Sequence, residues 1–337
     1  MNRTVTWVLL LVYIGLALLG TAWGTMPIPL NHVVRTVVAT AGIGNVEDVP
    51  ESEQFVVLRL RLPQVVLLGL VGAALACSGA ALQATFENPL AEPGVLGVSS
   101  GAALGGAIAI HTGLAATVFL SLPLSGFGGG LAAALLVYAL TYVGGRPTMH
   151  ALLLTGVAVS SLSVAGITLV MVLADQHRVQ ELLFWLVGGI RNQTWEHVWL
   201  SAPPITAGVL GLLSLHRRLD ALLLGEEQAL AVGVAVVPTR LIVLVCTALA
   251  TGAASAVAGT IGFVGLMVPH VVRRWTGPQT SRLLPACVTG GAAFLTACEL
   301  LSRAVSEQFS IHLGILTAFL GGPAFLFVLR RRERAQP

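Results

Sequence analysis

Helix-length apolar runs, separated by short polar or arginine-bearing breaks, recur along the chain from end to end. The first, Thr4 to Gly24, follows Arg3. It exceeds the ~7–15-residue apolar core of a signal peptide, which favours a retained span. Further runs fall at 62–83, 94–111, 114–143, 149–173, 198–215, 241–258, 260–272, 283–303 and 312–329. At roughly 20 apolar residues per crossing, the pattern predicts about ten transmembrane helices. Two stretches read differently. Residues 25–61, with Glu47, Asp48, Glu51 and Glu53, are expected to form an extracytoplasmic loop. Residues 174–197 are mixed, and Trp185 and Trp195 there suit a membrane interface, where amphipathic aromatics collect.

Residues 59–106 stand apart within this pattern. Arg59 and Arg61 precede an apolar run, Val65 to Leu82, that carries Gly69, Gly72, Ala73, Ala76, Gly79 and Ala80. A proline-broken turn follows, with Glu87, Asn88, Pro89, Glu92 and Pro93, and then a second small-residue run with Gly101 and Gly105. Two membrane helices with small faces, joined by a short ordered loop, are expected to approach closely. Lipid gives no hydrophobic drive to helix association, so tight packing must supply it. Gly72-Ala73-Ala74 with Gly79 recurs as Gly252-Ala253-Ala254 with Gly259, in spans expected to run in opposite directions. Opposed copies are the mark of an inverted-repeat transporter; chance similarity in a Gly/Ala-rich chain is the competing reading.

Composition sharpens the class. Of 337 residues, 55% are hydrophobic and 10% charged, against roughly 25% charged in soluble proteins. The chain reads as an all-α polytopic membrane protein, with residues 1–337 forming a single transmembrane domain. All 18 basic residues are arginine. Without lysine there is no Gly-Lys-Ser/Thr phosphate loop and no Schiff base, so any ATP must be bound by another chain. Cys77, Cys246, Cys287 and Cys298 lie in apolar runs without a CxxC pair and read as small buried hydrophobes. Histidines such as His150, His177, His197, His270 and His312 are scattered, and no metal site or catalytic constellation is expected. With both termini in the cytoplasm, Arg35, Arg59, Arg61, Arg178, Arg191 and Arg303 face outward and the other twelve of 18 face inward, as the positive-inside rule requires.

Three groups of residues are candidates for function. Arg59, Arg61 and Arg303 fall at the outer ends of expected spans. They read either as snorkelling anchors or as positive docking points for an acidic partner, whose carboxylates a guanidinium takes bidentately. The segment 216–238, HRRLDALLLGEEQALAVGVAVVP, is charged at its start and broken by Gly225 and Gly233. Gly225 is expected to separate two short helices, with Glu226 and Glu227 opening the second, where acid favours the N-terminus. Leu222, Leu223 and Leu230 would be exposed unless a partner covers them, so the segment reads as a surface pair or as a docking surface for a cytoplasmic motor. Glu299 is the one acid well inside an expected span, one turn from Arg303, and an i,i+4 pair is expected.

The ordered blocks of this chain resemble the FecCD family, the permease subunits of ATP-driven importers of ferric siderophores, haem and cobalamin. The carrying residues are Arg61-Leu62-Pro63, Gly72 to Ala74, Gln83, Asn88 to Ala91 with Pro93, and Leu96 to Gly101. They continue with Phe184-Trp185-Leu186, Leu224-Gly225-Glu226, Thr251 to Ala253, Ile261 to Leu266, Val268 to His270, and Gly321 to Pro323. The resemblance implies the type II ABC importer permease fold, ten helices per subunit and two permease chains around a translocation path. It also implies cytoplasmic ATPase subunits that bind ATP and Mg, and a periplasmic or lipid-anchored binding protein. Carried over, Asp220, Leu224, Gly225, Glu226, Glu227, Leu230 and Gly233 fall in the coupling segment. Arg61 and Arg303 match docking arginines, with Arg59 standing in because Gln64 replaces a second one. Thr148, Met149 and His150 match the inner gate. The implied cargo is an iron chelate or haem, with cobalamin the alternative raised by Phe86-Glu87-Asn88-Pro89. A stand-alone secondary transporter is the different-class reading, and it would need intramembrane charges that are almost missing here. No nucleic-acid partner is expected. The implied location is the bacterial inner membrane.

Overall fold

The computed structural model describes residues 3–24, 26–40, 42, 45–46, 48–118, 120–141, 149–190, 193–305 and 312–333. The described residues form helices and turns only. In order these are α1 Arg3–Ala22, α2 Leu30–Thr40, α3 Glu51–Phe55, α4 Leu62–Thr85, α5 Val98–His111, α6 Leu114–Thr117, α7 Ser121–Thr141 and α8 Met149–Leu173. There follow α9 Gln176–Val187, α10 Trp195–Ser214, α11 His216–Leu222, α12 Glu226–Ala231, α13 Val236–Ala258, α14 Val264–Thr276, α15 Thr280–Val305 and α16 Leu313–Glu333. Among the described residues six helices are long and apolar enough to cross a membrane. The pair α10 and α11, bent by 56° at Leu215, makes a seventh when taken as one span. By contrast α5, with 14 residues, and α14, with 13, are shorter than a full crossing.

Residues 25–61 are not the loop expected from their charge. They fold into α2, α3 and a π-helical turn, Val56–Arg61, that runs without a break into α4. Glu51 and Arg59 are exposed, while Val57 packs with Ile28 and Val33 in a small apolar cluster. His32 Nδ1 lies 2.7 Å from Glu53 Oε2 and ties α2 to α3. Charge on one face of an amphipathic helix had the look of a polar loop. Other boundaries moved for backbone reasons. Gly97 (φ 78°) starts α5 late, Gly113 (φ 77°) sets α6 apart from α5, and extended Val118 ends α6 before α7.

The core is centred on α4, whose last 15 residues, Val71 to Thr85, are all buried. It packs against α15, α13, α14 and α10, while α5 packs chiefly on α7. The close approach expected between α4 and α5 is therefore made by each with a different partner. Gly72 meets the backbone of Gly291 in α15, and Gly79 meets that of Gly265 in α14. In the same way Gly101 and Gly105 of α5 face Gly129 and Ser125 of α7. The loop from Phe86 to Gly97 is long enough to let the helices part. Cys77, Cys287 and Cys298 are buried as free thiols.

The repeat read in the sequence has a counterpart in the packing. Helix α4 lies on α14 and α15, and α13 lies on α5 and α7, the same arrangement with the two halves exchanged. Both α5 and α14 start after a residue with positive φ, Gly97 at 78° and Phe263 at 66°. Phe263 is strained there, because its Cβ crowds the backbone in the left-handed region.

Candidate functional site

At one end of the bundle the three candidate arginines have different fates. Arg61 is buried, and its Nη1 donates to the carbonyls of Thr21 and Ala22, both at 2.9 Å, while Nη2 donates to Met26. A helix leaves its last carbonyls without intrahelical partners and carries negative potential there. Arg61 satisfies both needs at the C-terminus of α1. In this arrangement its guanidinium is bonded within the chain, and to meet a partner it would give up three backbone acceptors. Arg303 is also committed, with Nε to Glu299 Oε1 at 2.9 Å, Nη1 to Gly20 O at 3.0 Å and Nη2 to Gln64 Oε1 at 3.2 Å. The i,i+4 pair is thus present, and Gln64 serves as an acceptor. Arg59 is exposed.

The segment 216–238 folds as two short helices, α11 and α12, with Gly225 (φ 101°) between them and Gly233 (φ 81°) after them. Asp220 Oδ1 accepts from the backbone N–H of Thr280 at 2.6 Å and lies 2.8 Å from its hydroxyl. That hydroxyl is also 2.7 Å from the His216 carbonyl, so its one proton is shared between two acceptors. Asp220 thereby caps the first turn of α15 and fastens α11 to it. Glu226 pairs with the buried Arg240 at 3.2 Å and ties α12 to α13. Leu222 is 1% exposed, which corrects its expected exposure: it faces the bundle beside Leu219. The uncovered apolar surface is instead Leu223, Leu224, Leu230 and Val232, the last three at 66%, 50% and 67% exposure, with exposed Glu227 beside them.

A third feature lies in the loop between α4 and α5. An open recess of about 440 Å³ is lined by Glu92, Gly94, Val95, Val157, Ser160 and Val164, so one wall is α8. Ser160 Oγ is 3.1 Å from Ser100 Oγ and 3.4 Å from the Gly94 carbonyl, which holds α8 to the loop. Glu92 also borders a smaller cavity of about 100 Å³ with Ser99, Thr260 and Gly262. Nearby, Gln83 accepts from Arg273 Nη2 at 2.7 Å and donates to the Gly265 carbonyl at 3.3 Å, joining α4 to both ends of α14. Of the expected gate residues, Thr148 lies outside the described residues, and Met149 and His150 open α8, the helix that walls the recess. Sequence reasoning named Glu92 only as part of a turn. Its signal was an acid between Pro89 and Pro93, flanked by two apolar runs.

Burial pushes the Glu92 carboxyl up to about 7, against the opposing pull of the Phe263 N–H that donates to it. An acid with a raised folded pKa keeps its proton after the unfolded chain has lost its own. Its stability contribution is full below the ordinary value of 4.5 and falls as pH rises toward about 7. Glu92→Gln is expected to flatten that slope. Unfolding midpoints of the two proteins across this window check it, and an unchanged slope refutes it.

Comparison with known proteins places this geometry. The model of the FecCD transport family matches residues 9–331. The cobalamin import system permease protein of Halobacterium salinarum is 41% identical, over 85% of this chain and 76% of its own. The hemin transport system permease protein of Yersinia pestis is 37% identical, over 82% of this chain and 84% of its own. A solved structure assigned to the metal-chelate type of ABC transporter, in an inward-facing conformation, superposes with a TM-score of 0.84. It is 29% identical and covers 98% of this chain and 99% of that one. Matched over nearly its whole length in sequence and in shape, the chain belongs to the FecCD transport family, the multi-pass permeases of ABC importers.

Proposed function

We propose that this chain is the permease subunit of an ATP-driven importer that carries an iron chelate, a ferric siderophore or haem, across the cytoplasmic membrane of a bacterium. The observation that carries the mechanism is the exposed leucine surface of α11 and α12, fastened to the core through Asp220 and Glu226. A surface of this kind is built to be covered by a partner and to pass its movement inward. Two cytoplasmic ATPase subunits that bind ATP and Mg fit that role, since this chain has no lysine for a phosphate loop. Ten spans with both termini cytoplasmic then comprise α1, α4, α7, α8, α10, α13, α15 and α16, with the short helices α5 and α14 as the helical parts of the other two. A second permease chain covers the apolar face of α8, where Leu154 and Val172 are 72% and 75% exposed. A binding protein delivers cargo at the end that carries Arg59 and Arg303. ATP binding shifts access only through contacts that differ between the two states.

A second cargo has its own support. The Halobacterium relative is named for cobalamin, and the Phe86-Glu87-Asn88-Pro89 turn resembles the cobalamin-permease form. The named relatives also include permeases for hemin, Fe(3+) dicitrate and molybdate. The deciding experiment is uptake into proteoliposomes that hold the permease and its ATPase, with the binding protein outside and ATP inside. Labelled haem, a ferric siderophore and cobalamin are offered in parallel. ATP-dependent uptake of haem or the siderophore is expected. Cobalamin uptake alone selects the second cargo, and uptake without ATP refutes the importer.

A further inference from the structure

Away from the recess and the coupling helices, an apolar groove of about 260 Å³ runs along the outer side of α1, α14 and α15. Its walls include Leu9, Val12 and Leu16 of α1, Val271 and Trp275 of α14, and Phe294 of α15. Gly290 forms part of its floor, where a Cβ would press on Val272, Leu9 and Val268. No charged side chain enters it. Lined by apolar side chains throughout, it suits a hydrocarbon chain, which brings no polar group to pair.

One end of the groove is strongly biased in charge. There α14 ends and α15 begins, and Arg274, Trp275 and Arg282 are all exposed. Among the described residues neither arginine has an ion-pair partner. The sequence holds no acid between Glu227 and Glu299, and none before Glu47, so α1, α14 and the start of α15 carry none here; Asp220 of α11 reaches the first turn of α15 but is bonded to Thr280. An amphipathic tryptophan at such a rim is placed at headgroup level.

We propose that this groove is a binding site for one anionic phospholipid, its acyl chain between α1, α14 and α15 and its phosphate at Arg274 and Arg282. Paired arginines at the mouth of an apolar cleft meet both halves of that ligand, and each basic side chain near a headgroup adds to the preference for anionic over neutral lipid.

The test uses the intact protein in phosphatidylcholine vesicles doped with either brominated phosphatidylglycerol or brominated phosphatidylcholine. Quenching at the site is the difference in tryptophan fluorescence between the protein and its Trp275→Phe variant. Phosphatidylglycerol is expected to quench at about a tenfold lower mole fraction than phosphatidylcholine. The double variant R274Q/R282Q, changed at exposed positions only, is expected to bring that ratio close to one. Ala297→Phe, which fills the groove while leaving the arginines, is expected to abolish site quenching by phosphatidylglycerol. Equal quenching by the two lipids in the parent protein overturns the site, as does a preference that survives the double variant. Undiminished quenching in Ala297→Phe also overturns it, because the headgroup alone would then hold the lipid.

Discussion

Gly291→Ala is expected to cost the protein most of its folded yield, although the change adds a single methyl group. The Cβ at that position would be driven into the Gly72 carbonyl and would lie 2.6 Å from the Ala76 Cβ. Gly72→Ala fails in mirror image, against the Gly291 carbonyl. Overpacking a core ordinarily costs about 1–3 kcal/mol. Here the obstacle is main chain on both sides, so no side chain can turn away. Helices α4 and α15 must separate along their length, losing contacts that lipid does not replace. A loss of about 3 kcal/mol or more is expected, against the 5–15 kcal/mol that holds a typical domain together. Gly15→Ala is the control, because nothing lies within 4 Å of the added atom. Detergent-solubilised yield and thermal midpoint report the result. Near-parental values for Gly291→Ala would mean that the two helices do not meet at these glycines.

Leu224→Asp combined with Leu230→Asp should abolish ATP-driven uptake in a protein that still folds. Both leucines are at least half exposed, and neither contributes to the buried core. An anchor at the centre of an interface commonly carries 2 kcal/mol or more, about thirtyfold in affinity, and here each apolar group is replaced by a charge. ATPase co-purification and ATP-dependent uptake should fall together, while the thermal midpoint of the permease stays near the parental value. Asp220→Ala should behave in the opposite order. It removes the cap on α15 and lowers stability by about 1–2 kcal/mol before it affects partner binding. Full ATPase binding by the double aspartate variant would move the docking surface elsewhere.

Much of the architecture was legible in one dimension, because the lipid-length apolar runs and the small residues of α4 carry it. The division of 216–238 at Gly225 was legible for the same reason: a glycine between a leucine-rich turn and two glutamates has a local cause and a local effect. What escaped was relational. Arg61 looked like an outward-facing charge, since its three acceptors lie 35 to 40 residues away. Leu222 looked exposed like its neighbours until α11 was laid along the bundle. The glycines announced a close approach without saying to which helix, and α5 was the wrong choice because it was the nearest in sequence. Glu92 had no visible counterpart, as its partner Phe263 belongs to the other half of the chain.

The cap at Asp220 and the glycine contact at Gly72 have a joint mechanical consequence. They act in series: α11 is pinned to the start of α15 by short hydrogen bonds, and at Gly291 α15 meets the main chain of α4 at Gly72. At these two points no long side chain intervenes, and close-packed interiors of this kind transmit strain. A displacement of α11 is therefore expected to carry α15, and with it α4, as along a push-rod. The elastic part of the machine lies on the far side, where α8 is held to the loop through small serine contacts and shows a broad apolar face.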